Sequence, residues 1–494
     1  MERTGCVIAG GGPAGMMLGL LLARAGVEVV VLEKHQDFLR DFRGDTVHPS
    51  TLRLLDELGL GPQFAALSRS VLERMKMDIG GETVIAADFS KLRGPHRHIA
   101  MVPQSEFLGL LAKAGADEPA FSLRMGASVV SLRRDAGRVT GVRYRDETGT
   151  IHELAAPLTV GCDGRWSTVR QELGLALKES EVPMDVWQVR VPKAEPGEQG
   201  VFARFGPGYA SVTMDRGDYY QTSYLIPRGH NAQLRSAPIE DFRSRLGELF
   251  GWTPTQLSAI RSWDDVKLLE VTMGLLPRWH APGALCIGDA AHPMSPVGGV
   301  GVNLAVQDAV ATARLLAEPL RRGEIPVSRL AAVRRRRLLP TAAVQFNQRG
   351  EHDMLLRPAL AGTLNRLPTP MRALQRFPAL SGLTAYLGGV GLRPEHAPAF
   401  CTTVRYGQSG WLNCRRAAHD GPPRTATLAE LAPGGARGPA SGPVRLAARV
   451  RLRRPAAHVG PLWMVSLDQP GSDSQHHRPA VTAQLGSPEP ESGR

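Results

Sequence analysis

The chain has 494 residues, 43% hydrophobic and 21% charged, which suits a globular enzyme of two or three domains and excludes a disordered or fibrous chain. Five cysteines without a C-x-x-C pair exclude a disulfide scaffold, a zinc site and a redox dithiol, so no metal and a reducing cytoplasm are expected. The net charge of +12 is diffuse and lacks interleaved aromatics, so no nucleic-acid partner is expected, and no apolar run is long enough for a transmembrane segment.

Residues 6–9 read as an apolar strand, 10–15 as a tight turn, 16–25 as a helix and 27–32 as a second apolar strand ending at Glu33. That is a βαβ unit, not a signal peptide. A short helix starts at Pro49 and Ser50, carries the stripe Leu52, Leu55, Leu58 and stops at Gly59. Residues 74–100 read as strands and turns, 105–114 as a helix, and 128–146 as a hairpin turning at Asp135-Ala136-Gly137. Residues 157–162 are another buried strand. Residues 185–191 and 219–226 alternate, with Trp187, Val189 and Val191 on one face and Gln188 and Arg190 on the other, which predicts an antiparallel sheet covered on one side. This sheet reads as a second domain inserted into the first. Residues 284–287 return to a buried strand, followed by a glycine-rich loop and a helix over 303–316. Residues 327–390 read as helical with proline breaks. From residue 401 the periodicity ends, 22 of 94 residues are Gly or Pro, and Arg occurs without Lys. A disordered tail is expected there; a shifted reading frame in a GC-rich gene would encode a similar composition.

Three motifs carry chemistry. Gly10-Gly11-Gly12-Pro13-Ala14-Gly15 fits G-x-G-x-x-G between a strand and a helix. Gly10 permits the turn, Gly12 lets backbone approach a pyrophosphate, and Gly15 lets helix and strand pack closely. Pro13 and Ala14 begin the helix whose free amides and positive end meet the pyrophosphate. Glu33, with Lys34 beside it, ends the second strand, where a carboxylate can accept hydrogen bonds from a ribose diol. The second motif is Asp163-Gly164-Arg165-Trp166-Ser167-Thr168-Val169-Arg170; alone, Asp-Gly is most often just a turn. The third is Gly288-Asp289-Ala290-Ala291-His292-Pro293, then Pro296-Val297-Gly298-Gly299-Val300-Gly301-Val302-Asn303. Asp289 could hold sugar or ribityl hydroxyls, and the glycines let amides reach a ligand. A helix N-terminus there would favour a bound anion by about 0.3–1 kcal/mol, up to ~2 kcal/mol when partly buried.

In this order and at these separations the three motifs, over roughly residues 1–400, resemble the para-hydroxybenzoate hydroxylase class of FAD-dependent monooxygenases. The resemblance implies an α/β fold: a Rossmann-like FAD-binding domain (1–73, 101–180 and 276–325), an inserted antiparallel β-sheet substrate domain (74–100 and 181–275) and a helical C-terminal part (326–400). It implies that FAD is held by Glu33 at the adenosine ribose, Asp289 at the ribityl chain, Arg43 near the flavin, Gln104 on the ribityl side, and Gly298 to Asn303 along the isoalloxazine. Asp163 and Gly164 match the dipeptide linked to both FAD and NAD(P)H. The implied reaction uses NADPH or NADH and O2 to hydroxylate a small aromatic or polyketide-like substrate through a flavin C4a-hydroperoxide. The cofactor carries that chemistry, so no catalytic residue is assigned. The oligomeric expectation is monomer or homodimer. His48 and His292 read as loop anchors rather than proton carriers, and Tyr220 and Tyr224 as packing. A related flavin oxidoreductase, such as a prenyl reductase or a quinone-pathway hydroxylase, is the alternative. A flavin-binding protein without turnover is a third reading.

Overall fold

The computed structural model describes residues 1–39, 46–67, 70–194 and 200–401. Arg43 and the tail from residue 402 therefore lie outside the described residues. The apolar runs at Cys6–Ala9 and Val29–Leu32 are buried throughout, as strands covered on both faces must be. They form the middle of a six-stranded sheet ordered His280–Ala281, Ala284–Cys286, Thr159–Gly161, Cys6–Ala9, Val29–Leu32, Phe121–Arg124. All neighbours in it are parallel except the first pair.

The first helix, Pro13–Arg24, starts three residues before the predicted position 16, with Gly12 as N-cap. Proline is at ease at the first helical position because its missing N–H has no intrahelical acceptor there, so the glycine motif runs into the helix rather than preceding it. The helix packs with Gln104–Ala116 and Gly301–Arg321. The predicted hairpin is present as Ser128–Asp135 with Arg138–Arg145. Both its turn residues have positive φ, 44° at Ala136 and 78° at Gly137, as a two-residue turn between twisted strands requires.

A seven-stranded sheet runs Lys267–Leu269, Met184–Pro192, Tyr219–Pro227, Tyr209–Asp215, Val201–Gly206, Arg74–Ile79, Glu82–Asp88. It is antiparallel except where Val201–Gly206 meets Arg74–Ile79. One face packs Trp187, Tyr224 and Ile226 against Phe242 and Leu246 of the helix Ile239–Phe250. Tyr220 stacks on Trp252 at 5.8 Å. These tyrosines are thus packing residues on the side away from the cavity described below.

The helix Val327–Glu351 passes through Pro340 without ending, and Gly301–Arg321 likewise contains Pro319. A predicted proline break is absent at Pro340, which is buried; each of the two helices forgoes one backbone bond at its proline. Among the described residues no helix is long and apolar enough to cross a membrane.

Candidate functional site

A cavity of about 500 Å3 lies between the carboxyl ends of the parallel strands and one face of the seven-stranded sheet, a volume in the range of small-molecule sites. Gly10, Gly12, Pro13, Ala14, Glu33, Lys34, Gln104, Asp163, Gly164, Asp289, Pro296, Gly298, Gly299 and Gly301 all line it. Gly15, Gly288 and Asn303 are buried and do not line it.

At the strand end of the cavity the backbone is left open. A methyl group on Gly12 would meet no other protein atom within 4 Å, whereas one on Gly15 would lie 1.9 Å from the Gly10 carbonyl oxygen. Gly12 thus leaves space, and Gly15 lets the helix touch the turn. Helices Pro13–Arg24 and Gly301–Arg321 both begin here without a side-chain cap or an acid in the first turn, so their positive ends are uncompensated. Glu33 is buried; its carboxylate accepts from the Gly11 amide at 2.7 Å and the His35 amide at 3.1 Å.

The second motif is a capped turn. Ser167 donates to Asp163 Oδ1 at 2.5 Å and the Val169 amide donates to Oδ2 at 3.0 Å, while Ser167 Oγ accepts from the Arg170 amide. Burial pushes the Asp163 carboxyl above its ordinary range, opposed by these bonds. Buried Arg170 donates to the Ala290 carbonyl at 3.1 Å and to the Arg165 carbonyl at 2.6 Å. It therefore ties the second motif to the third. The third motif is fixed in turn by Asp308, whose Oδ2 accepts from the Gly288 amide at 3.1 Å and meets His292 Nε2 at 2.5 Å. Arg337 reaches the other oxygen at 2.9 Å. The Asp308 carboxyl is raised by burial and lowered more by His292 and Arg337, for a net value below the usual range.

Asn303 is a clamp rather than part of the cavity wall. Its Oδ1 accepts from the His48 amide at 2.9 Å and Thr51 Oγ1 at 2.8 Å. Thr46 Oγ1 donates to the Gly299 carbonyl at 2.9 Å, and a methyl group on Gly299 would collide with that hydroxyl. His48 is buried, with Nδ1 2.9 Å from the Gly388 carbonyl, and burial lowers its pKa to about 4. Both histidines singled out in the sequence are therefore loop anchors.

The far wall is apolar for most of its extent and includes four methionines, Met75, Met77, Met184 and Met214, while Met101 and Met294 line the cavity from other segments. Sequence reasoning did not find these, nor the bridging roles of Arg170 and Asp308. It also passed over Trp166, an exposed indole at the cavity rim beside Arg165, which is tied to the Glu270 carbonyl. The one available signal was Arg170 closing the D-G-x-x-S-x-x-R string.

Comparisons with known proteins agree with this arrangement. The FAD binding domain family matches residues 3–347. The chain is 30% identical over 386 residues to a 6-methylpretetramide 4-monooxygenase from Streptomyces rimosus, covering 76% of this chain and 92% of the relative. It is 32% identical over 323 residues to a 12-dehydrotetracycline 5-monooxygenase/anhydrotetracycline 6-monooxygenase from Streptomyces rimosus subsp. rimosus, covering 62% of this chain and 61% of that protein. Among solved structures, an anhydrotetracycline hydroxylase from Streptomyces rimosus superimposes with a TM-score of 0.62 at 27% identity, over 78% of this chain and 76% of that one.

Proposed function

The chain belongs to the FAD-binding monooxygenases of the para-hydroxybenzoate hydroxylase class, and we propose that it hydroxylates an aromatic or polyketide-like small molecule with NADPH or NADH and O2. The observation that carries this reading is the convergence of two uncapped helix N-termini, Gly12 and Glu33 on one cavity whose opposite wall is an apolar sheet. The names of relatives that act on tetracycline intermediates support a fused-ring substrate. The alternative, a prenyl reductase or quinone-pathway enzyme, gains no support from these relatives.

FAD fits the residues present. Gly12 would admit the pyrophosphate against the amides of the first helix, Glu33 would take the adenosine ribose, and Asp289 and Gln104 would take the ribityl chain. The amides from Gly298 to Asn303, at the second helix start, would favour negative charge on the ring system. Bound there, FAD supplies the passage of electrons from the nicotinamide to oxygen. We assign the reductant's approach to the Asp163-Gly164 turn, beside Arg165 and Trp166. The apolar wall would orient the substrate and exclude water from the reacting atoms.

The six-stranded sheet with its helices is assigned as the FAD-binding domain, from 1–73, 101–180 and 276–325, and the seven-stranded sheet as the substrate domain, from 74–100 and 181–275. Residues 326–400 form the helical part. We place the protein in the cytoplasm, on its cysteine usage.

The test is oxidation of NADH and NADPH by FAD-loaded protein over a panel of phenols and polycyclic aromatics, with oxygen uptake and peroxide followed together. A hydroxylase gives at least one compound that accelerates oxidation with little peroxide. If no compound changes the rate and turnover does not need oxygen, the proposal fails.

A further inference from the structure

The apolar wall of the cavity has a polar end. Cross-strand neighbours facing the cavity run Gln188, Ser223, Val212, Ala203, Met77. Gln188 is buried at one end of this row, beside Val186 and Leu225. Its Oε1 accepts from Ser223 Oγ at 3.0 Å, which turns the amino group of the carboxamide away from Ser223. The amino group is then the other end, and among the described residues it has no acceptor although it keeps contact with open space. A carboxamide nitrogen carries two donors, and leaving a donor without a partner in an apolar wall is costly. The nearby Gln221 is already engaged, accepting from Arg216 Nε at 3.3 Å.

We propose that the Gln188 amino group receives a carbonyl or phenolic oxygen at the edge of a planar, fused-ring substrate, and so sets which ring carbon is presented for hydroxylation. The rings lie over Val212, Ala203 and Met77, where unbranched methionine adapts to flat apolar groups. Ser223 is a positioning residue that holds the carboxamide in the donating orientation. This assignment rests on the hydroxylase reading of the cavity for its consequence, and on the geometry of the wall for the contact itself.

The experiment measures binding of two isosteric probes, 1-naphthol and 1-methylnaphthalene, to FAD-loaded protein through perturbation of the flavin absorbance. Gln188→Leu keeps the volume and removes the donor. It is expected to weaken 1-naphthol by about 5- to 10-fold and to leave 1-methylnaphthalene unchanged or tighter. Ser223→Ala, which frees the carboxamide, is expected to weaken 1-naphthol by a smaller factor. Flavin content and melting temperature establish that each variant is folded, and Ser223→Ala carries the test if Gln188→Leu is not. Equal effects on both probes, or no effect on either, overturn the assignment. If the discrimination depends on Gln188 but no compound is oxygenated, the contact stands and the hydroxylase reading falls.

Discussion

One substitution made at two glycines of the same motif should have opposite consequences. Gly12 has φ −77° and ψ −174°, an extended conformation open to alanine, and its new methyl group would meet nothing within 4 Å. Losing glycine as N-cap costs about 0.5–1 kcal/mol, while the less flexible unfolded chain returns about 0.4–1 kcal/mol. Gly12→Ala should therefore leave the stability of the FAD-free protein within about 1 kcal/mol of wild type. On the proposed binding mode the methyl group would nevertheless stand where the pyrophosphate approaches the backbone. Loss of one charge-assisted bond, about 1.5–3 kcal/mol, lowers FAD affinity roughly 10- to 150-fold. Gly15→Ala would place its methyl group 1.9 Å from the Gly10 carbonyl oxygen, a backbone atom that cannot move without displacing the helix from the strand. It should cost about 1–3 kcal/mol or more of stability before any flavin is added. Denaturant melts of the FAD-free proteins and FAD titration by flavin fluorescence separate the two effects. The reasoning is refuted if Gly12→Ala binds FAD as wild type does, or if Gly15→Ala melts unchanged.

Two further outcomes follow from the anchors around the cavity. Arg170→Met removes the donor to the buried Ala290 carbonyl and the half-buried Arg165 carbonyl; at about 1–3 kcal/mol for the stranded buried group and less for the other, it should lower stability by roughly 1–4 kcal/mol and loosen FAD during gel filtration. Arg170→Lys should recover at most half of that, because one ammonium does not reproduce the planar fork, and full recovery would contradict the bridging role. His48, whose pKa burial lowers to about 4 against an opposing bond to the Gly388 carbonyl, stays neutral in the fold while the unfolded chain takes up a proton below about pH 6.5. Its contribution is complete above that pH and declines as pH falls toward 4, by roughly 2–3 kcal/mol. His48→Gln should flatten this part of the stability profile in denaturant titrations at pH 7 and pH 4.5, and an unaltered slope would count against it.

Much of the fold was legible because burial on both faces leaves unbroken apolar runs, as at Cys6–Ala9 and Val29–Leu32. The alternation at Met184–Pro192 located a strand, but the expected sheet covered on one side is covered on both there: Met184 to Val189 are all buried, with the helix Ile239–Phe250 on one face and the cavity on the other. The glycine motif was legible because each glycine answers a local need. Features that depend on distant chain were not. Arg170 and Ala290 are far apart in sequence, and no local pattern pairs them. The same holds for Asn303, whose partners His48 and Thr51 are on a different element. The sequence reading of Asn303 as a cofactor contact carried no sign that its side chain clamps a loop. The helix through Pro340 was misjudged because the local penalty of proline was weighed without the tertiary packing that absorbs it. Gln188 was visible only as one polar residue on the alternating face, and its significance comes from the cavity beneath it.

The most direct test of the central claim follows the fate of oxygen. FAD-loaded protein is supplied with NADPH or NADH and the aromatic compound that most accelerates oxidation, once under isotopically heavy dioxygen and once in isotopically heavy water, and the product is weighed by mass spectrometry. The account predicts one heavy oxygen atom per product molecule from dioxygen and none from water. A product that carries no oxygen from dioxygen, or whose oxygen comes from water, would contradict it.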